Sequence, residues 1–525
     1  MKKKYLSLFL IPLTLVSCGN DLPLEFYPYT DITDVESPKK YEKNDTYYRF
    51  TEYNSLEYYK NSEEKESINN YRDVYSSDNS SNVYLNQSSL GDQKILVIPV
   101  SFKDSSRTWT NEKIINLKNA FFGDPNKIGF ESVSSFYNKS SYGQLRISGE
   151  IAPIYTCEYK LTDNLDEYSK ITKMIASSAV EYLRENSLIN LFDYDLDHDE
   201  YIDSVYLVYD APFNATNSDS IFWAFTNHTK KGEFGLNNES PYVCSHSWSS
   251  VDFAMQEENL AYRNTFIHEV GHLFGLEDYY SNISSYQPTG SFDVMDSNLG
   301  DQTAYSKMIL DWVTPYVITG EGKITLRSFS KTGDLALVPI GDYNGTPYDE
   351  YLLLEYFTGD GLNETNNASY QYETFTHEKG IFTFPTYHGV KVYHVDSRLA
   401  YLIKKNMGGT SNAIYAYFDD KDVQTKLDEI TTTYCIGIGN TNQVLSNSTP
   451  VLYHLLEKDG NNTFFNGKAA SNNTLFRLND SFGFDTYSNF KGNKKDFWGY
   501  RCEPYFNFKI TELHNDNVTI EFSYK

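Results

Sequence analysis

His268-Glu269-Val270-Gly271-His272-Leu273-Phe274-Gly275-Leu276-Glu277-Asp278 has the form HExxHxxGxxD, and the rest of the chain is best read outward from it. On a helix, residues i and i+4 share a face. His268 and His272 can therefore offer ring nitrogens to one cation. Glu269 is turned by about 100° from His268, beside the metal yet free of direct ligation. That is where a base that deprotonates water is needed. Two histidines leave the set incomplete, since catalytic zinc typically takes three protein ligands and keeps one place for water. Gly275 can end the helix in a left-handed conformation and turn the chain back. The offset then favours Asp278 over Glu277 as third ligand; a glutamate on a more distant helix is the alternative. Phe266, Ile267, Val270, Leu273 and Phe274 supply the apolar flanks of a buried helix.

Downstream, Ser291-Phe-Asp-Val-Met295-Asp-Ser-Asn-Leu-Gly300 places a methionine in a tight turn. In this order it resembles the Met-turn of metzincins, with Met295 expected beneath the metal.

The chain has 525 residues, too many for one ordinary core, so two or more domains are expected. It carries 45 basic and 71 acidic residues, a net charge of −26. Such a surface repels phosphate backbones, which argues against nucleic acid as a partner. Lys2, Lys3 and Lys4 precede an apolar run, Tyr5 to Val16, too short to span a bilayer as a mature helix. It ends in Leu15-Val16-Ser17-Cys18, which resembles a bacterial lipobox. Residues 1–17 are thus expected to be a lipoprotein signal peptide, with Cys18 acylated and anchored at the outer face of the membrane. Cys157, Cys244, Cys435 and Cys502 have no CxxC spacing. They allow three pairings or buried free thiols.

Residues 18–90 are polar, with little apolar period, and read as a stalk or pro-segment with local structure around Tyr47 to Tyr59. If it is a pro-segment, activation would release the protein from its anchor. Lys94 to Phe102 is a short apolar run suited to a buried strand. Asn111 to Phe122 has near-helical spacing. Ser132 to Gly149 reads as helix, glycine turn and strand. Tyr168 to Glu185 is an amphipathic helix with Ile171, Ile175, Ala179 and Leu183 on one stripe. Ser204 to Tyr209 is another buried strand, and Tyr305 to Val313 a helix. From about residue 320 short alternating runs recur between turn residues, including Lys323 to Leu326, Leu335 to Ile340, Glu350 to Tyr356, Val390 to Val395 and Val518 to Phe522. The expected fold is therefore an α/β domain, mixed sheet plus helices, over 91–318. An all-β, sandwich-like domain follows over 319–525.

Asp195-Leu-Asp197-His-Asp199-Glu-Tyr-Ile202-Asp203 follows the alternation of an EF-hand-type loop, in which carboxylates converge on a hard cation such as Ca²⁺. Asp195, Asp197, Asp199 and Asp203 are the candidate ligands. Glu200 stands where such loops have glycine, and Tyr206 where they have a bidentate glutamate. An acidic turn without a cation is the competing reading.

Taken together, Lys94 to Asp104, Ser140 to Gly143, Asp193 to Asp203, Ser245-His246-Ser247-Trp248, Asn264 to Tyr280, Phe292 to Ser297 and Ala304 to Trp312 resemble the immune-inhibitor-A-like secreted metalloproteases, a metzincin-type family. Glu350 to Glu355 and Gly389 to Asp396 add to the likeness, which spans about residues 94–400. The resemblance implies a metzincin-like fold for the first domain and zinc on His268, His272 and Asp278. It implies Glu269 as general base, calcium in the acidic loop, and protein or peptide substrates outside the cell. His246 and His394 are expected to be packed, hydrogen-bonded histidines, and Tyr305 a packing residue. The competing functions are a surface-anchored adhesin with a non-catalytic zinc site and a zinc aminopeptidase.

Overall fold

The structure, a computed structural model, describes residues 25–30, 42–43, 46–49, 87–213, 221–255, 263–280, 286–340, 350–367, 369–373, 379–383, 385–396, 453–483 and 504–525. Cys18, Cys435, Cys502 and the signal segment lie outside these residues. The described chain is a mixed α/β structure with several sheets and few helices.

The first half builds β1 (Gly91–Ser101), α1 (Asn111–Phe122), α2 (Val133–Ser140), β2 (Leu145–Ile151), α3 (Tyr168–Glu185), β3 (Val205–Tyr209), β4 (Phe225–His228) and β5 (Ser245–Ser250). Their order across the sheet is β2-β1-β3-β5-β4. All neighbours are parallel except the last pair, β5 with β4, which is antiparallel. Parallel strands need long crossovers, and the helices between them serve that purpose. Interior strands covered on both faces are apolar throughout, which is why Ile95 to Val100 is one buried run. Alternation splits that run. Ile95 and Val97 join one core with Phe121 and Phe266, whereas Leu96 and Ile98 join another with Ile175, Ala179, Leu207 and Trp248. Helix ends follow local chemistry: the Thr110 hydroxyl caps α1, and Ser132 and Ser135 form a reciprocal capping box on α2.

Next come α4 (Thr265–Leu273), α5 (Val294–Ser297) and α6 (Ala304–Ile309). The chain then turns to strands: β6 (Tyr316–Ile318), β7 (Gly322–Arg327), β8 (Leu335–Pro339), β9 (Glu350–Phe357), β10 (Gly389–Asp396), β11 (Tyr453–Leu456), β12 (Phe506–Leu513) and β13 (Asn517–Tyr524). Glu42–Lys43, Tyr47–Arg49, β6, β8, β9, β10 and β11 form one seven-stranded sheet in that order; β7, β13, β12 and Ser481–Phe482 form a second. Ile318, Val338, Leu352 and Val392 of the first sheet share a core with Ile324, Phe508 and Ile520 of the second. Two sheets thus pack face to face, as the alternating runs predict.

The other face of the seven-stranded sheet is not solvated. Leu337, Leu353, Tyr393 and Tyr453 belong to the same core as Val270, Met295 and Tyr305. Position 318 therefore marks a change of element type within a continuous core. Each half also carries a buried ion pair of its own. Lys307 meets Asp301 at 2.6 Å, and Lys391 meets Glu355 at 2.9 Å.

The early chain is tied to both halves. Tyr29 N–H donates to Phe122 O at 2.9 Å, Asp124 N–H donates to Tyr27 O at 2.7 Å, and the Tyr29 hydroxyl donates to Asn138 at 2.9 Å. Residues Tyr47 and Tyr48 then pair with Ile318 and Val317 of β6. Cys157 and Cys244 are both buried and are not joined to each other.

Candidate metal centre

Every residue of α4 from Thr265 to Leu273 except His272 is buried. A helix apolar around most of its circumference belongs inside a core, and on α4 His272 alone is partly exposed. Gly271 has a steric reason to be glycine. A Cβ there would stand 2.6 Å from Met295 Sδ and 3.2 Å from the Tyr137 hydroxyl. The turn containing Met295 is thus pressed against the helix at the level of the histidines.

The helix ends as the glycine predicts. Gly275 has φ +85°, its N–H donates to His272 O at 3.0 Å, and Leu276 N–H donates to Gly271 O at 3.0 Å. This paired closure satisfies two terminal carbonyls and reverses the chain. Asp278 is thereby returned to the face that carries the histidines.

Three donor atoms, one each from His268, His272 and Asp278, lie within 4.8 Å of one another. His268 Nε2 is 2.7 Å from Asp278 Oδ1, and His272 Nε2 is 3.3 Å from the same oxygen. The far side of each imidazole is held by backbone. His268 Nδ1 meets Val294 O at 2.8 Å, and His272 Nδ1 meets Leu276 O at 2.7 Å. A carbonyl only accepts, so both Nδ1 atoms carry the hydrogen and both Nε2 atoms face the carboxylate. That is the orientation a metal requires, with each imidazole held through its other nitrogen. Two nitrogens and one hard oxygen at this spacing suit zinc. Among the described residues, Glu277 is not part of the group.

Glu269 is buried, and burial raises its carboxyl above the ordinary range, although the two histidines oppose the shift. Its carboxylate accepts the Thr226 hydroxyl at 3.3 Å, and its backbone carbonyl accepts Ser247 at 3.1 Å. The donors come from neighbouring strands: Thr226 sits on the edge strand β4 and Ser247 on β5 beside it. Alternation puts His228 on the Thr226 face of β4, where it meets the Ser245 hydroxyl at 3.0 Å. Burial and the neighbouring His246 lower that imidazole to about 3, so it is neutral at physiological pH.

Met295 and its turn are fastened by Asp293. One carboxylate oxygen accepts Met295 N–H at 2.8 Å; the other accepts Thr303 N–H at 2.8 Å, its hydroxyl at 2.6 Å and the Ser306 hydroxyl at 2.9 Å. The sequence reading did not single out Asp293, Thr226, His228 or Tyr137. The signal for Ser247 was present, however. Trp248 must enter a core, and period-two alternation then turns Ser247 to the opposite face. His246 shares the Trp248 side. It is buried, with Nδ1 3.3 Å from Cys244 O, and burial lowers it to about 4. His394 bonds Glu350 at 2.9 Å, and Tyr305 is buried with its ring 5.0 Å from that of Tyr453. All three are packing residues.

The acidic loop draws together Asp195, Asp197 and Asp199, whose carboxylate oxygens also lie within 4.8 Å of one another. Asp203 is not one of that trio; its carboxylate accepts Leu196 N–H at 2.9 Å. Glu200 takes φ +75°, the left-handed conformation for which glycine is usual, so the loop turns there despite its side chain. Tyr206 is buried on β3 and supplies no ligand to the loop.

No protein-family model matches the chain, and no curated protein matches it in sequence.

Proposed function

We propose that this chain is a zinc-dependent endopeptidase with a metzincin-like catalytic half. The observation that carries the reading is the convergence of His268, His272 and Asp278 beside the buried carboxylate of Glu269. The Met295 turn packed under Gly271 supports it. So does β4, the last strand of its sheet among the described residues, whose outer edge an extended peptide can join by main-chain hydrogen bonds.

In this reading His268, His272 and Asp278 hold the metal. Zinc, when bound, supplies the Lewis acidity that polarises a carbonyl and acidifies water. Glu269 takes a proton from the attacking water as its oxygen bonds to the carbonyl carbon. The carboxyl then hands that proton to the amine as the C–N bond breaks. Burial suits this exchange, because it brings the carboxyl closer to neutral pH than an exposed glutamate. Thr226 positions the carboxylate, and the β4 edge aligns the substrate backbone.

The chain is proposed to act outside the cell on proteins or peptides, held to the membrane through an acylated Cys18. Among the described residues no helix is long and apolar enough to cross a membrane. Calcium in the loop of Asp195, Asp197 and Asp199, with Asp203 close by, is proposed as a structural ion.

Glu269→Gln separates catalysis from metal binding. It is expected to retain zinc and lose proteolysis by about 10²-fold or more, the scale of general acid–base catalysis. Metal analysis and a casein assay on the purified variant check it. Full activity in the variant would refute the mechanism, and an inactive, metal-loaded wild type would favour the adhesin reading.

A further inference from the structure

Tyr280 lies two residues beyond Asp278 and returns to the same centre. Its hydroxyl hydrogen-bonds with the Asp278 carboxylate. Its half-buried ring is 6.4 Å from the His268 imidazole, tilted by 31°. Tyr279 points elsewhere: its hydroxyl lies 2.9 Å from Ser306 Oγ, and its ring packs 5.4 Å from that of Tyr453. The extended chain after Gly275 therefore sends residues 278 and 280 to the centre and residue 279 into the core.

We infer that Tyr280 is a positioning residue for the metal, holding the Asp278 carboxylate in its ligating orientation; this rests on the zinc reading above. The two histidines are each oriented by a backbone carbonyl, Val294 O and Leu276 O. Asp278 has a partner of the same kind in the Tyr280 hydroxyl. A metal that enters between Nε2 and Oδ1 displaces the imidazole–carboxylate hydrogen bonds. The bond from Tyr280 need not be lost, because a carboxylate has about four lone-pair sites and coordination occupies only some of them. Outer partners of this kind typically hold about 10- to 100-fold of a site's metal affinity.

The test compares the full chain with Tyr280→Phe and Tyr279→Phe. Zinc affinity is read by competition with a chromophoric chelator. The cobalt(II)-loaded absorption spectrum reports ligand geometry. Melting temperature without zinc, and its rise with zinc, keeps a less stable variant readable. Tyr280→Phe is expected to bind zinc about 10- to 100-fold more weakly, to shift the cobalt spectrum and to melt normally without metal. Tyr279→Phe is expected to melt lower and keep wild-type zinc affinity and spectrum. Unchanged zinc affinity in Tyr280→Phe overturns the assignment while leaving the zinc reading intact. Equal weakening in both variants also overturns it, because a general loosening would then explain both. A wild-type chain that takes up no zinc overturns the zinc reading and this assignment together.

Discussion

At the scale of single residues, the centre is a competition between burial and partnership. Burial works against a charged imidazole at His272, but Asp278 outweighs it and lifts the group to about 10. Asp278 is correspondingly held well below the usual carboxylate range, chiefly by His272 against the cost of burial. In the metal-free protein at neutral pH, His272 is therefore an imidazolium that donates from both nitrogens. A group raised in the folded state stabilises fully below its unfolded value, about 6.5, and loses that contribution as pH climbs through the folded one. Metal-free protein is thus expected to lose stability between about pH 7 and pH 10. Zinc must displace the same proton, so its uptake at neutral pH is expected to release at least about one proton per site. A pH indicator in weakly buffered solution reads this directly. Zinc uptake without acidification would show that His272 is already neutral.

Among elements, the acidic loop gathers like charges where the centre pairs opposite ones. Burial, with help from the neighbouring carboxylates, raises Asp199 to about 6 and Asp203 to about 7. A raised carboxyl stabilises the fold below about pH 4, and that contribution fades as pH rises through the folded value. Without a cation the loop therefore weakens the protein between about pH 4 and pH 7. Asp203→Asn is expected to flatten this decline. Calcium at neutral pH is expected to raise the melting temperature of wild type more than that of the variant. Thermal melts across this pH range, with and without calcium, check both, and identical profiles for the two proteins would remove the loop's electrostatic role. The loop also shows what residue patterns hide. Glu200 is the wrong residue for its turn, yet it takes the turn, because Tyr201–Ile202 pairs with Tyr242–Val243 and draws the chain onward.

For the whole molecule, the early chain matters more than its polar composition suggests. Residues 25–30 are strapped to α1 and α2, and Tyr47–Arg49 extends the seven-stranded sheet beside β6. Deleting residues 1–49 strips this cover from the β6 edge and leaves Asn119 without its bonds to the Tyr27 and Glu25 backbone. The expected cost is at least about 3 kcal/mol, from several hydrogen bonds at about 1 kcal/mol each plus partial burial of Phe26 and Tyr27. Urea unfolding of the truncated and full chains measures it, and unchanged stability would fit a removable pro-segment instead.

The elements nearest the centre were legible from local pattern. Asn111–Phe122 and Tyr168–Glu185 are helices over the very residues their spacing predicts, and Ile95 to Val100 is the buried strand its apolar run requires. His268, His272, Gly275 and Asp278 were legible too, because the helix and its glycine closure are short-range events. Thr226, Asp293 and Tyr280 carried no such signal. A threonine on an edge strand or an aspartate in a turn becomes specific only through residues that approach it from afar. The shared core did leave a trace, since Leu335 to Val338 and Tyr351 to Leu354 are continuous apolar runs of the kind strands covered on both faces show, but nothing local says what covers them.

By itself the sequence determined the HExxHxxGxxD pattern on one helix face, the glycine closure that returns Asp278 to the histidines, and the alternation that makes the later half a pair of sheets. These follow from periodicities of 3.6 and 2 and from one left-handed glycine. Only the tertiary structure decided that the Val294 carbonyl orients the His268 imidazole, that Met295 fills the space a Cβ at Gly271 would need, and that the second half packs onto the first. Those facts depend on contacts between residues distant in the chain, and no local periodicity encodes them.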